Sequence, residues 1–316
     1  MTALALVTPD NFDRAESDRR FAEVVDLGGF GRLAHRRAFP DIRAQVAPCS
    51  NRDTLQSAGV FDLDAGPVTV VMPAAGGRFM SLQVFDEDGY SHGVTYEAGE
   101  RSFGRDEIGT RYALVAVRTL VVEADPADLA AAHALQDAIM LRQAASGCWE
   151  PPTWDSMSQS RVREALLSLA QTVPDTRGMY GERDHVGELR HLVGAAAGWG
   201  GNPETAAFYQ TVTPHRNDGR VAHRLIVGDV PVDGFWSVSV YNAEGYFEPN
   251  HRNAYTVNSL SARPSADGSI AIHFGDSSIF NFFAIPPGWS YRVRLYRPRR
   301  EVLTGDWTFP EARPVE

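Results

Sequence analysis

Alternating apolar and polar residues mark two similar stretches of this chain. From Phe235 to Tyr241, apolar side chains alternate with serines, and an Asn-Ala-Glu-Gly turn then leads to Tyr246. The segment from Phe79 to Tyr90 repeats the pattern 156 residues earlier, with Phe, Ser, Val, Gly and Tyr in register. Period-two alternation followed by a Gly-containing turn predicts a half-buried strand that enters a hairpin. The chain is therefore expected to use one β-module twice.

The spacing of apolar residues divides the 316 residues into four predicted parts. Residues 1–45 show a helical pattern, with a second short helix expected over 30–39. Short strands bounded by turn residues predict a first β-module over 46–123 and a second over 204–316. Residues 124–203 return to a helical period. The predicted fold is mainly β, with two related antiparallel β-sandwich or jelly-roll-like modules joined by a short helical segment and preceded by N-terminal helices.

Three helices are expected between the two modules. Asp125 and Pro126 supply an N-cap and a first helical residue, and the helix that they open is predicted to end near Gly147. The other two helices are predicted over 155–171 and 182–197. These helices would form either a linker between the modules or a cover over one sheet.

Composition excludes several classes of function. A hydrophobic fraction of 43% with 22% charged residues is typical of a soluble globular protein. The net charge of −10 argues against a nucleic-acid partner, which needs a basic face. Every positively charged residue is an arginine, so no lysine can form a Schiff base or act as a general base.

Targeting and metal motifs are weak or missing in the sequence. The first residues lack the basic region of a signal peptide, and no apolar run has the length that spans a bilayer. Cys49 and Cys148 lie too far apart to suggest a metal motif. The sequence therefore predicts a cytoplasmic protein with no metal or other cofactor and no membrane partner.

Three motifs in the first half resemble a known family. They are SNRDTL at 50–55, DLDAGP at 62–67 and GGRFMSL at 76–82. Together they are similar to the family called domain of unknown function 1254. The chain departs from that family at Gln56, where a tyrosine is usual, so a role for that tyrosine does not carry over.

The second half resembles the partner family, domain of unknown function 1214. The likeness rests on 235–246, the Pro-Asn and Asn-Ala-Tyr segments within 249–255, Asp-Gly-Ser at 267–269 and the arginine-containing strand at 292–298. The resemblance implies a jelly-roll-like β-module in the second half and a related β-module in the first. It implies no particular reaction.

The polar cluster Asn51, Arg52, Asp53 and Thr54 is the first candidate site. An amide, a guanidinium and a carboxylate ahead of a strand can bind a polar ligand, with Asp53 as the catalytic carboxylate. Arg52 would then hold a carboxylate or an oxyanion. The alternative is a turn in which the Asn and Asp side chains bond to their own backbone.

Two histidines are candidate acid–base groups. His92 follows the first hairpin and could act as a general base with Asp88 or Glu87 as its carboxylate partner. A solvent-exposed histidine is the alternative. His223 lies on the predicted strand 221–227 among aliphatic residues, so a hydrogen-bonded core histidine is the alternative there.

Asn250, Asn253 and Tyr255 form the last candidate cluster. Amide and phenol groups on an extended loop suit a hydroxylated ligand, and they serve a structural loop equally well. Three functions follow from these candidates. The first is a hydrolase or lyase acting on a polar organic or carbohydrate-like substrate in a pocket between the β-modules. The second is a non-catalytic carbohydrate- or polyol-binding module, and the third is an assembly protein whose sheets form a homo-oligomer interface.

Overall fold

The computed structural model describes residues 4–45, 48–173, 175–275 and 280–315. Two compact units share the chain, and each draws on more than one stretch of sequence. The first unit holds the residues up to Arg37 together with Leu55–Leu120 and Ala130–Glu204. The second holds Ala38–Thr54, Val121–Leu129 and the residues from Thr205 onward. The mainly β class predicted from the sequence is confirmed.

The first unit contains two sheets. The strands are β1 (Ala34–His35), β2 (Thr54–Asp62), β3 (Val68–Met72), β4 (Met80–Asp86), β5 (Ser91–Thr95), β6 (Gly99–Phe103), β7 (Tyr112–Leu120) and β8 (Met140–Arg142). One sheet has the order β1-β2-β7-β4-β5 and the other the order β6-β3-β8. Alternate residues of β3 are buried, and they share a core with Phe61, Leu82 and Val115 of the larger sheet. Because this core lies between two sheets, the unit is a β-sandwich.

Helices cover the outer face of the larger sheet. The helices are α1 (Phe12–Asp26), α2 (Arg105–Ile108), α3 (Pro126–Asp137), α4 (Ser156–Ala170) and α5 (Glu188–Gly198). Phe21 of α1 packs with Phe85 of β4. The ring centroid of Trp199, at the end of α5, lies 5.9 Å from that of Phe21 and 5.1 Å from that of Phe85. Helices α1, α4 and α5 also share an apolar cluster of their own. Helices α1 and α5 therefore cover one face of the larger sheet, and α4 packs against them.

Local helix signals located the starts of α3 and α4 correctly but not the end of α3. Asp155 caps α4 by accepting the Ser158 N–H, as its position before the apolar pattern predicts. The helix expected to reach Gly147 ends at Asp137, because the residues that follow pair with β3 as strand β8.

The second N-terminal helix, expected over 30–39, is also wrong. Ala34 and His35 form β1 instead and pair with β2, and the Arg36 N–H donates to the Gln56 carbonyl. These cross-strand hydrogen bonds satisfy backbone groups that helical hydrogen bonds would satisfy if the segment were a helix. In the described N-terminal segment, α1 and two short 3-10 helices at Pro9–Asn11 and Ile42–Ala44 are present.

The second unit is a sandwich of two four-stranded sheets. Its strands are β9 (Ala207–Val212), β10 (His223–Val227), β11 (Trp236–Tyr241), β12 (Thr256–Asn258), β13 (Ile270–Phe274), β14 (Phe282–Phe283), β15 (Ser290–Tyr296) and β16 (Arg313–Pro314), with helix α6 at Arg300–Thr304. The sheet orders are β12-β11-β15-β9 and β14-β13-β10-β16. Trp236, Val238 and Val240 of β11 face a core shared with β10 and β13.

Equivalent strands have the same neighbours in the sheets of both units. In the first unit β7 and β5 flank β4, and β6 and β8 flank β3. In the second unit β15 and β12 flank β11, and β13 and β16 flank β10. All eight of these pairings are antiparallel. The duplication inferred from one sequence echo therefore extends over six strands in each unit.

An arginine at equivalent strand positions shows the register of this duplication. Ser81 pairs with Arg118 in the first unit, and Ser237 pairs with Arg294 in the second. Each arginine donates through Nη1 to a side chain on the neighbouring strand, at 2.7 Å to Gln83 Oε1 and at 3.0 Å to Ser239 Oγ. Residues 81 and 83 are thus equivalent to 237 and 239, as the 156-residue offset predicts.

The segments GTRYAL at 109–114 and GWSYRV at 288–293 also resemble each other in sequence, but aligning them in this way is three residues out of register with the strand pairing. Pairing with β4 and β11 makes Arg118 equivalent to Arg294, and by the same offset Tyr112 is equivalent to Gly288. The two Gly-x-x-Tyr segments resemble each other in sequence, but cross-strand hydrogen bonds determine which residues correspond.

Candidate functional site

The turn after β4 is organised by one carboxylate oxygen. Asp86 Oδ1 accepts the backbone N–H groups of Asp88 and Tyr90, each at 2.9 Å. A left-handed residue is required within this turn, and Gly89 supplies it with φ +80°. Because Oδ1 is fully engaged, Asp86 keeps its second oxygen, Oδ2, for another partner.

That partner is His92, the first histidine predicted as a catalytic group. His92 Nε2 lies 3.1 Å from Asp86 Oδ2, and Asp86 is 4% exposed. A carboxylate that accepts from Nε2–H leaves the lone pair of a neutral imidazole on Nδ1. Asp88 or Glu87 was predicted as the carboxylate partner of His92, and Asp86 is the partner instead. The other two carboxylates point away from the imidazole, and each has a different partner.

Glu87 and Asp88 are held by groups behind the turn. Glu87 Oε2 accepts the Tyr112 N–H at 2.9 Å, and burial raises the pKa of its carboxyl although this hydrogen bond lowers it. Asp88 pairs with Arg14 at 2.6 Å and with Arg183 at 2.7 Å. Both carboxylates therefore stabilise the turn rather than contact the imidazole.

The Asp86–His92 pair lines a cavity of about 550 Å³ in the first unit. Four stretches of chain build the wall: the β4–β5 hairpin, β6, the end of α2 with the turn that follows, and the 3-10 helix Arg183–His185 with the residue before it. Its acidic and basic lining residues are Asp86, Asp88, His92, Arg101, Glu107, Glu182, Arg183 and Asp184. A concave space that holds an oriented histidine and several charged groups has the character of a small-molecule site.

The second unit repeats this hairpin with different end groups. Asn242 Oδ1 accepts the N–H groups of Glu244 and Tyr246 at 3.1 and 2.8 Å, as Asp86 does two and four residues ahead. Asn242 Nδ2 then donates to Glu248 Oε1 at 2.9 Å. The turn is therefore the same, but an amide–carboxylate pair stands where the first unit has carboxylate and imidazole.

The predicted cluster at 51–54 lies in the second unit and is densely paired. Arg52 Nη2 donates to both oxygens of Glu123 at 2.6 and 2.7 Å, and Nη1 donates to the Pro40 carbonyl. Asn51 Nδ2 donates to the Tyr296 hydroxyl at 2.6 Å. Thr54 is 3% exposed, and its hydroxyl has no hydrogen-bond partner among the described residues.

Asp53 is completely buried within a polar patch on one face of the sheet. Its carboxylate accepts from Ser237 Oγ at 2.6 Å, Thr256 Oγ1 at 3.1 Å and Asn258 Nδ2 at 3.4 Å. Hydroxyl and amide donors that surround a carboxylate in this way satisfy it in place of water. Asn51 Oδ1 accepts the Asp53 N–H at 2.6 Å, as the predicted turn requires, whereas the Asp53 carboxylate bonds to other strands rather than to its own backbone. A catalytic role for Asp53 stays a prediction.

The other buried charge of this patch is Arg294. Its Nη2 donates to the Tyr241 hydroxyl at 2.6 Å and to the Cys49 and Ser50 carbonyls at 2.8 and 3.2 Å. Arg294 is 2% exposed. The proximity of Asp53 is among the causes that raise the pKa of the Arg294 guanidinium. The sequence analysis missed Arg294 because an arginine on a strand gives no local signal of burial.

His223 lies at the rim of a second cavity, of about 500 Å³. Its Nδ1–H donates to the Val221 carbonyl at 2.9 Å, and its ring meets Trp289 edge to face at 5.3 Å. The cavity lies beside strands β9, β10 and β16 of the second unit. His223 is 2% exposed, as the core alternative predicted, and still reaches this space.

The last predicted cluster forms a hydrogen-bonded loop. Asn250 bonds to both backbone groups of Ala254, accepting at 3.0 Å and donating at 3.2 Å. Asn253 adopts φ +51°, a conformation that asparagine tolerates. Tyr255 packs against Phe247 and is 8% exposed. These contacts fit the structural-loop alternative, and ligand binding by the three residues stays a prediction.

Among the described residues, no three His, Cys, Asp or Glu side chains are grouped so that they could hold a metal ion. No helix in the described part of the chain combines the length and the apolar character needed to cross a membrane.

Comparison with known proteins supports the fold and names a family for each half. Residues 30–102 match the family described as Protein of unknown function (DUF1254), and residues 207–300 match Protein of unknown function (DUF1214). No curated protein matches the sequence. The crystal structure of the VPA0106 protein from Vibrio parahaemolyticus is similar over 97% of both chains, with 16% identity and a TM-score of 0.73.

A second solved structure is more distant. An uncharacterized protein from Burkholderia cenocepacia shares 13% identity, covers 96% of this chain and 87% of its own, and gives a TM-score of 0.52. At such low identity both likenesses concern the fold alone.

Proposed function

We propose a function from the geometry of the site, because the DUF1254 and DUF1214 families that match regions of the chain are both described as proteins of unknown function. The protein is a small-molecule enzyme, a hydrolase or lyase acting on a polar organic substrate, and His92 is its general base. The observation that carries this proposal is the Asp86–His92 pair at the wall of a cavity of about 550 Å³.

The geometry supports a direct proton transfer. His92 Nδ1 would take a proton from a bound water in hydrolysis, or from a substrate carbon in elimination. Asp86 would hold the ring by its Nε2–H and stabilise the imidazolium that forms, without itself taking the proton. Arg101 Nη2 donates to the His92 carbonyl at 2.7 Å and so restrains the backbone of the base.

A binding module without turnover is the second candidate, and the repeated hairpin favours it. Asn242 and Glu248 occupy the positions of Asp86 and His92 and make a comparable side-chain contact. A side chain six residues after the turn-capping residue can therefore have a purely structural role in the hairpin. The two candidates differ in whether the ligand is consumed.

Asp86→Asn separates the structural role of this residue from its chemical role. Asn242 shows that an asparagine can cap the same turn, so the variant is expected to fold and to lose only about 1 kcal/mol of stability. An amide that donates towards Nε2 would reverse the tautomer of His92. Turnover is then expected to fall about 10²- to 10⁴-fold.

The assay incubates each purified protein with a polar metabolite extract and follows all mass-spectrometric features over time. Wild type and the matched surface variant His251→Gln should consume the same feature, in molar excess over protein. Asp86→Asn and His92→Gln should consume it at least a hundredfold more slowly. Equal rates in wild type and His92→Gln would refute the general-base role. A feature retained in stoichiometric amount but never consumed would establish the binding module instead.

A further inference from the structure

Tyr90 presents a fixed aromatic face inside the cavity. Its ring is 5% exposed and stacks on His191, with centroids 3.8 Å apart and planes 11° from parallel. His191 Nε2 lies 2.8 Å from the Asp88 carbonyl, which holds the stack against the turn. One face of the phenol ring is thus covered by His191.

A guanidinium already occupies the other face of the ring. The Arg183 guanidinium carbon lies 4.1 Å from the centre of the Tyr90 ring, and Arg183 Nη2 donates to Asp88 Oδ2 at 2.7 Å. Planar cations stack on aromatic rings and pair with carboxylates at the same time. Tyr90 and Asp88 therefore form a complete guanidinium-binding site, filled by a side chain of the same protein.

This guanidinium is only weakly held. The Arg183 side chain is 59% exposed and lies in the short 3-10 helix Arg183–His185. Exposed ion pairs and exposed cation–π contacts each contribute little. Asp88 would not be left alone if Arg183 moved, because Arg14 also pairs with it at 2.6 Å.

The charges around the cavity favour a cation in the same place. Its lining includes five carboxylates and two guanidiniums. The second guanidinium, Arg101, is committed to Thr95 Oγ1 and to the His92 carbonyl. An anionic substrate would meet an excess of negative charge, whereas a cation would reduce that excess.

We propose that the substrate carries a guanidinium or amidinium group, which lies on the Tyr90 ring, pairs with Asp88 and displaces the Arg183 side chain. This inference rests on the proposed function, since it names the substrate class of the same site. The reacting part of the substrate extends from the bound cation towards His92, which lines the same cavity.

Calorimetric titration with n-butylguanidinium tests the binding step without any turnover. The neutral isostere n-butylurea serves as the control ligand. Arg183→Ala removes the internal competitor, and n-butylguanidinium is expected to bind this variant about tenfold more tightly than wild type. Arg142→Ala is the matched control, because it removes an exposed arginine that does not line the cavity. It should bind like wild type, and n-butylurea should bind none of the proteins measurably.

The proposal would be overturned if Arg183→Ala bound n-butylguanidinium no more tightly than Arg142→Ala, or bound n-butylurea equally well. His92→Gln distinguishes this failure from failure of the proposed function. It should keep the affinity for n-butylguanidinium and lose turnover. Turnover of an anionic or neutral metabolite that depends on His92 would leave the general base in place and refute the cationic substrate.

Discussion

The buried carboxyl of Asp18 should make the stability of the first unit depend on pH. Asp18 lies on α1, is 3% exposed and accepts the Trp154 Nε1–H at 2.8 Å through Oδ2. Its Oδ1 has no hydrogen-bond partner among the described residues. Burial raises the pKa of Asp18 to about 7, the Trp154 hydrogen bond opposes that rise, and the negative charge of Glu87 adds to it.

The direction of the effect follows from the raised pKa. In the unfolded chain the pKa of Asp18 lies near its ordinary value of 3.8, whereas in the folded protein the carboxyl keeps its proton until about pH 7. Its contribution to stability is therefore fully present below the unfolded pKa and is lost as pH rises towards the folded pKa. Each pH unit in that window costs about 1.4 kcal/mol. Between about pH 5 and about pH 8.5 the loss amounts to about 2.5 kcal/mol.

Asp18→Asn should remove this dependence. The amide oxygen can still accept the Trp154 N–H, and the uncharged side chain has no ionisation to suppress. Denaturant unfolding at about pH 5 and about pH 8.5 should show that the variant loses about 2.5 kcal/mol less than wild type over this range. In thermal melts the same difference corresponds to roughly 5–10 °C.

Asp26→Asn provides the control, because Asp26 is an exposed carboxylate at the end of the same helix. It should keep the wild-type slope of stability against pH. The reasoning fails if Asp18→Asn and Asp26→Asn give the same slope. It also fails if Asp18→Asn loses stability more steeply than wild type as pH rises.

Two further paired predictions test how tightly the structure depends on single positions. Arg294→Met should lower the free energy of unfolding by about 3 kcal/mol or more, because it leaves buried acceptors without a donor. Arg118→Met, at the equivalent but half-buried position, should lower it by only about 1–2 kcal/mol. Equal losses in denaturant unfolding would contradict the difference in burial. Gly147→Ala should cost about 3 kcal/mol, because its Cβ would lie 2.4 Å from Asp62 Oδ2 at φ +72°. Gly178→Ala, at φ +66° in open space, should cost only about 1 kcal/mol in the same measurement.

The parts of the fold that the sequence predicted are those determined by local chemistry. The N-cap at Asp155, the alternation along β4 and β11 and the Asp86 and Asn242 turns depend on residues a few positions apart. The region after Asp137 was misassigned because its helical composition competes with pairing to β3, and that pairing joins residues far apart in sequence. Long-range pairing overrides propensity where a sheet edge is available.

The candidate site shows the same limit in more detail. His92 was found because it follows a hairpin, but its carboxylate partner was misassigned by one or two positions. The turn geometry decides which of three adjacent acids faces the imidazole, and the hydrogen bonds from Asp88 and Tyr90 to Asp86 set that geometry. Arg183 lies some ninety residues away in sequence, so nothing in the local pattern connects it to Tyr90.

The repeated hairpin also constrains what kind of protein this is. Both copies use one side-chain oxygen to hold the turn, which leaves one atom of the capping residue available at the same place. In the second copy that atom is an amide nitrogen bonded to Glu248, whereas in the first it is a carboxylate oxygen bonded to imidazole. If the contact served the hairpin alone, either pair would suffice. A carboxylate–imidazole pair differs because it fixes a tautomer and stabilises a positive charge. The copy with this pair lines the cavity of about 550 Å³. A catalytic role is therefore expected for the hairpin of the first unit and a structural role for the hairpin of the second.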